Sequence, residues 1–251
     1  MTYCILIIIA LLVVFTACNK KVNPAYPEPT NIPTPASTPT ATQTSTPVGL
    51  FISKAVIIQN LNASLNETRA EIILKCGDVS GDYVSGSTIQ INSVPLIEST
   101  PGHYVCSLPI IPDSSIVTCT INSSAGNTIV NILTPYKAEI ITPTSDVITH
   151  SHLTNLYVTW IFFDTTGLLP DSSFLYMWNP ADSTVYINYD MGWLTNYQTE
   201  NILAPVPVPA NTTAELRIYA MNSAVIPGVN PGSSNFQFFN SKNSITVNIT
   251  P

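Results

Sequence analysis

From Lys54 onward, apolar and polar residues alternate in short runs with a period of two. Seven such runs precede residue 135: Lys54 to Ile58, Ala70 to Cys76, Ser87 to Ile91, Val94 to Ile97, His103 to Leu108, Ile116 to Ile121 and Thr128 to Ile132. They are rich in Ile, Val, Thr and Tyr, which fit a pleated, half-buried surface, so each run predicts a strand. Turn formers separate them at Gly77-Asp78, Asn92-Ser93, Pro101-Gly102 and Gly126-Asn127. Short strands with this punctuation predict a Greek-key β-sandwich. Alternation puts Ala70, Ile72, Leu74 and Cys76 on one face of their strand, and Val117, Cys119 and Ile121 on one face of theirs.

The pattern then restarts. Lys54-Ala55-Val56-Ile57 is echoed by Lys137-Ala138-Glu139-Ile140, and Asn127 to Pro135 is echoed by Asn243 to Pro251. Matching openings and closings predict two units of related design, 50–135 and 136–251. Strands are expected in the second unit at Leu156 to Trp160, Phe174 to Trp178, Val185 to Tyr189 and Leu216 to Asn222. Val158 and Trp160 should point inward, as should Leu216, Ile218 and Ala220. The run Leu156-Tyr157-Val158-Thr159-Trp160 resembles the second strand of fibronectin type III domains, and Leu216 to Asn222 resembles their sixth. The fold class expected is therefore all-β, with two tandem immunoglobulin-like or fibronectin type III-like sandwiches. Ala214 departs from the pattern, because that family usually has a tyrosine there. In immunoglobulin-like domains a disulfide joins the second and sixth strands, which here implies Cys76–Cys119. Cys106–Cys119 is a rival pairing, and three buried thiols are the remaining alternative.

Ahead of the sandwiches, Ile5 to Phe15 is an unbroken apolar run at the N-terminus. It falls short of the roughly 20 apolar residues that span a bilayer core, so it reads as a secretion segment. Phe15-Thr16-Ala17-Cys18 resembles the lipobox of bacterial lipoproteins. That resemblance implies a signal peptide over 1–17, cleavage before Cys18, and a lipidated Cys18 as mature N-terminus and membrane anchor. A short transmembrane anchor and an ordinary cleaved signal are the alternatives. In that family Asn19, in place of Asp, implies an outer-membrane or surface destination if the cell has two membranes. Residues 18–49 form the lipidated end and a linker, with prolines at 24, 27, 29, 33, 35, 39 and 47 interleaved with threonines. With almost nothing apolar to bury, that stretch is expected to remain a disordered stalk.

Composition narrows the function. Eight Lys and Arg stand against 15 Asp and Glu, a net charge of −7, and basic residues never cluster beyond Lys20-Lys21. Nucleic acid binding needs a basic stripe, so no nucleic acid partner is expected. No nucleophile elbow, phosphate-cradling glycine loop or His-Glu zinc helix is present. His150 and His152 lack a third metal ligand nearby in sequence, and Gly77 to Asp82 lacks the alternating acidic residues of a calcium loop. No enzyme activity, cofactor or metal is expected, although paired carboxylates that meet only in space would leave a hydrolase open. The aromatic residues of the second unit are the candidate binding groups. With Trp160 in the core, Trp178, Tyr186, Tyr189, Trp193 and Tyr197 are candidates for an exposed platform, against the alternative that they pack inside. The expected role is a lipid-anchored, extracytoplasmic binding, adhesion or structural module at the cell surface. Its partners are the membrane, through the anchor, and a protein or glycan of unknown identity.

Overall fold

The structure, a computed structural model, describes residues 49–61, 66–162, 169–192 and 197–251. The expected signal peptide 1–17, Cys18, the linker as far as residue 48, and Trp193 lie outside the described residues. Those described fall within one compact unit, Ser45–Pro251. They are all strand and turn, with no helix among them.

The first half supplies β1 (Leu50–Leu61), β2 (Asn66–Cys76), β3 (Thr88–Ile91), β4 (Val94–Pro95), β5 (Ile97–Thr100), β6 (His103–Leu108), β7 (Ile116–Ser123) and β8 (Gly126–Leu133). Two layers result, ordered β5-β6-β2-β1 and β4-β3-β7-β8. In chain-order letters these are the A-B-E-D and C-F-G sheets of an immunoglobulin-like sandwich with one extra strand. The expected run Val94 to Ile97 is two strands, not one. β4 pairs with β3 in one layer and β5 with β6 in the other, so the chain changes sheet at Leu96. Leu96 is buried there and its N–H donates to Ile89 O. The β3–β4 hairpin turns on Asn92 and Ser93, both at positive φ (47° and 68°), as a two-residue hairpin with right-handed strand twist requires.

The second half supplies β9 (Ala138–Thr142), β10 (Val147–Ser151), β11 (Leu156–Phe162), β12 (Ser172–Trp178), β13 (Val185–Gly192), β14 (Tyr197–Ile202), β15 (Thr212–Ala224), β16 (Phe236–Ser241) and β17 (Ser244–Thr250). One layer is β14-β11-β9; the other runs β13-β12-β15-β17-β10. The pairing repeats that of the first half. β9, β11 and β14 stand to one another as β1, β2 and β6 do, and β12, β15 and β17 as β3, β7 and β8 do. The echoed segments are thus the opening and closing strands of each layout.

β15 joins the halves. Its first part, Thr212 to Arg217, pairs with β17; its last part, Ala220 to Ala224, pairs with β16. β16 then pairs in parallel with β1, from Val56 opposite Gln237 to Asn60 opposite Ser241. One sheet therefore runs β5-β6-β2-β1-β16-β15-β12-β13 without a break. The first core, around Ile57, Ile72, Leu74, Tyr104 and Val117, also takes in Ile226, Phe236 and Phe238 from the second half. Each buried phenylalanine contributes on the order of 1.5–3 kcal/mol. The second core surrounds Trp160 with Val158, Leu175, Met177, Leu216, Ile218 and Ala220, all at 0% exposure.

The expected Cys76–Cys119 bridge is not formed; Cys76, Cys106 and Cys119 stand as thiols. Cys76 is half-buried at the end of β2, opposite Leu50, whereas Cys119 is buried in the other layer opposite Ile91. Burial pushes the Cys119 thiol up to about 12, and the nearby Cys106 adds to that rise. Burial also raises Cys106. The cysteine facing Cys119 electrostatically is thus Cys106, from β6.

Candidate functional site

Alternation along β12 sends Leu175 and Met177 into the second core and leaves Phe174, Tyr176 and Trp178 on the opposite face. Register carries that outer face across the sheet. Phe174 lies opposite Tyr219, and Tyr176 opposite Arg217 on one side and Asn188 on the other. Further along, Met221 lies opposite Phe239, and Phe239 opposite Ile58. Ile58, Phe174, Tyr176, Asn188, Tyr219 and Phe239 line a hollow of about 290 Å³ on this face. Five strands contribute, one of them (β1) from the first half of the chain.

The rings are held by their neighbours. Phe239 packs edge-on against Phe174 at 5.4 Å and against Tyr219 at 6.0 Å between centroids. Tyr219 Oη donates to Asn60 Oδ1 at 2.9 Å, tying β15 to β1. Burial pushes the Tyr219 phenol up to about 12; Arg217 opposes that rise, and Glu215 and Tyr176 reinforce it. Beside the hollow, Arg217 is only 2% exposed and donates from Nη2 to Glu215 Oε1 at 2.8 Å. Its guanidinium lies 6.0 Å from the Trp178 ring centre, and Trp178 in turn packs 5.2 Å from Tyr176. A desolvated cation under an aromatic face is attracted by the ring quadrupole, which fixes the orientation of that wall. Burial raises the Tyr176 phenol as well, so its hydroxyl keeps its proton at neutral pH.

Toward β2 and β6 the same sheet face becomes charged. Glu71 takes Lys54 Nζ at 2.7 Å on one carboxylate oxygen and lies 2.9 Å from His103 Nε2 on the other. Burial would raise the Glu71 carboxyl, but Lys54 and His103 together outweigh it and hold the group below its ordinary value.

Of the five expected platform residues Trp193 lies outside the described residues, and the other four are dispersed. Trp178 is half-buried on the outer face, next to the hollow but not among its lining residues. Tyr186 packs against the second core, and Tyr189 is exposed at 48%, opposite Leu175 in register. Tyr197 begins β14, opposite Ile161, in the other layer. Phe174, Tyr176, Tyr219 and Phe239 were not singled out from the sequence. The i, i+2, i+4 spacing of Phe174, Tyr176 and Trp178 around inward Leu175 and Met177 was the readable signal for that wall. Elsewhere, His150 Nε2 lies 3.0 Å from Thr154 O, and Asp78 accepts from Ser80 N and Oγ to close its own turn. Among the described residues no group of three or more His, Cys, Asp or Glu is gathered to hold a metal.

No family model matches the chain, and no curated protein sequence does. Among solved structures, it is similar to the fibronectin(III)-like modules of CbhA from Clostridium thermocellum, at 9% identity and a TM-score of 0.28, covering 80% of this chain and 94% of that one. It is also similar to domains 4 and 5 of the S-layer protein SbsC, at 10% identity and a TM-score of 0.23, covering 82% and 99%. A third is the FN1-FN3 segment of chicken CNTN1, at 12% identity and a TM-score of 0.21, covering 78% and 66%.

Proposed function

We propose that this chain is a non-catalytic binding protein of the cell surface, lipid-anchored through Cys18 and held off the membrane by the Pro/Thr-rich stalk. The modules 50–135 and 136–251 then act together as one display unit. The observation that carries the binding role is the hollow ringed by Phe174, Tyr176, Tyr219 and Phe239 on the outer face of the shared sheet. Concave, aromatic-lined surfaces with a few placed polar groups are where proteins take up ligands. Anchoring is supported by the apolar run ending at Phe15-Thr16-Ala17-Cys18 and by the linker composition. Two or three acyl chains hold a protein firmly at a bilayer where one does so only marginally.

Detergent phase partition of the full chain, with metabolic labelling by an alkyne fatty acid, tests the anchor. The wild type should carry label and enter the detergent phase, and Cys18→Ser should do neither. An unlabelled, aqueous wild type refutes it. Capture of solubilised envelope material by the purified chain tests the binding role, with loss expected in Tyr176→Ala and Phe239→Ala. Equal capture by both variants removes the hollow from consideration.

A further inference from the structure

The chemistry of the hollow selects among ligands. None of its six lining residues carries a formal charge; Arg217 beside it is buried and paired to Glu215, and Arg69, opposite Ile58 on β2, is exposed outside the lining. The chain as a whole carries −7, so a polyanion meets net repulsion, and no cation stands in the lining itself to offset it. A cationic ligand finds no carboxylate in the lining. An uncharged ligand is what this surface complements.

Polar groups around the rings narrow the choice further. The Tyr176 hydroxyl makes no hydrogen bond to any described residue, and neither does the exposed Asn188 amide opposite it in register. Tyr219 Oη spends its proton on Asn60 and keeps acceptor capacity. The hollow thus presents ring surface on its walls, with a donor–acceptor amide and two hydroxyls close by. An acyl chain would leave those groups without partners, at a cost for each polar group so buried. A ring with apolar C–H faces and an equatorial fringe of hydroxyls satisfies both. Pockets for drug-sized ligands run from about 300 to 1,000 Å³, so about 290 Å³ suits one such ring.

We infer that the hollow lined by Ile58, Phe174, Tyr176, Asn188, Tyr219 and Phe239 binds one neutral pyranose unit of a polysaccharide. The sugar stacks on the aromatic walls and exchanges hydrogen bonds with Tyr176 Oη and the Asn188 amide. This rests on the binding role proposed above and names its ligand class. The ring walls are fixed before the sugar arrives, by Asn60 on one side and Arg217 on the other, so little ordering entropy is lost on binding.

The test uses the full-length lipidated chain in detergent micelles, titrated calorimetrically with cellohexaose, mannohexaose and chitohexaose at concentrations up to about 10 mM, a range suited to millimolar affinity. At least one should bind. Affinity should fall tenfold or more in Phe239→Ala and severalfold in Tyr176→Phe, which removes only the hydroxyl. Asn188→Ala, on an exposed strand position, gives a variant whose fold is not at risk, and it too should lose severalfold. Circular dichroism checks each variant's fold. Binding to none of the three sugars overturns the inference, as does binding that all three variants retain unchanged. If the sugars fail while envelope capture still depends on Tyr176 and Phe239, only the ligand class is wrong. If capture is also indifferent to those residues, the binding reading falls as well. Concentration-dependent dimerisation abolished by Tyr176→Ala would assign the face to a second copy of the chain and overturn the sugar.

Discussion

Gln59 is the residue on which the junction between the two halves can be tested most sharply. It lies in β1 at 0% exposure, and all its hydrogen-bonding capacity is used. Nε2 donates to Ile111 O at 3.0 Å and Asn240 Oδ1 at 3.2 Å; Oε1 accepts from Thr68 Oγ1 at 2.9 Å and Ile111 N at 2.8 Å. Asn240, opposite it on β16 and equally buried, donates onward to Asp113 Oδ1 and Pro135 O. Gln59→Leu keeps the volume and removes every one of these bonds. Ile111 loses partners for both its N–H and its C=O, and Asn240 loses the donor to its carbonyl. Stranded buried groups cost about 1–3 kcal/mol each, and the apolar replacement recovers about 1.5–3 kcal/mol by transfer. With both ranges taken near their middle, the net loss is about 3–5 kcal/mol. For a unit of this size each kcal/mol moves Tm by about 2–4 °C, so thermal unfolding followed by circular dichroism should shift down by roughly 6–20 °C. Asn240→Leu should couple to it, and the double variant should lose less than the sum of the single ones. A Tm within about 2 °C of wild type, or strict additivity, would show that this network does not hold the seam.

Other consequences are open to direct measurement. Gly102→Ala should cost at least about 2 kcal/mol in urea unfolding, because Gly102 has φ 70° and an added Cβ would lie 2.8 Å from Leu74 O; an unchanged midpoint would contradict the turn geometry. Glu215→Ala should destabilise by about 3–5 kcal/mol by leaving the Arg217 charge buried alone, whereas Arg217→Met should fall within about 1 kcal/mol of wild type; equal losses would refute the asymmetry. Tyr219 is raised, so its share of stability is complete below about pH 10, the ordinary tyrosine value, and is lost as pH climbs toward about 12; Tyr219→Phe should flatten the alkaline limb of a Tm-against-pH curve. Glu71 is lowered, so its share is present above its ordinary value near 4.5 and fades as pH falls through the depressed one; Glu71→Gln should be less acid-sensitive than wild type, and an identical acid limb would count against the Lys54–Glu71–His103 cluster.

What the sequence made legible was local. Period-two alternation located Ala70, Ile72 and Leu74, then Val158 and Trp160, then Leu216, Ile218 and Ala220, and all eight are fully buried. The echo between residues 127–135 and 243–251 identified the closing strands of both sandwiches. Strand exchange between sheets was not legible, because only Leu96 marks it and an apolar residue there reads equally well as strand interior. The parallel pairing of β1 with β16 was invisible for a deeper reason. Its partners, such as Ile58 and Phe239, lie far apart in sequence, and parallel register leaves no turn signature to read. Phe236-Gln237-Phe238-Phe239 looks like one buried strand, yet Phe236 and Phe238 enter the first core and Phe239 faces out. The hollow is hard to read from sequence on the same ground: counting aromatics favours tryptophans, whereas the hollow is assembled by register across five strands.

That assembly links the seam to the site. Gln59 and Asn240 face inward at one register position of the β1–β16 pair, and Ile58 and Phe239 face outward at the position beside it. The backbone that carries the buried amide network therefore also sets the spacing of the hollow's floor. Asn60, one residue further along β1, holds Tyr219 Oη. Loosening the seam must then widen or tilt the aromatic walls, and a ligand that bridges Ile58, Tyr219 and Phe239 must in turn stabilise the seam, since whatever binds only the native arrangement shifts unfolding in its favour. Gln59→Leu should accordingly weaken ligand capture although Gln59 does not line the hollow, and saturating ligand should restore part of its lost Tm. A variant that melts early yet binds as tightly as wild type would separate the two, and would mean that the hollow is fixed by β15 and β12 alone.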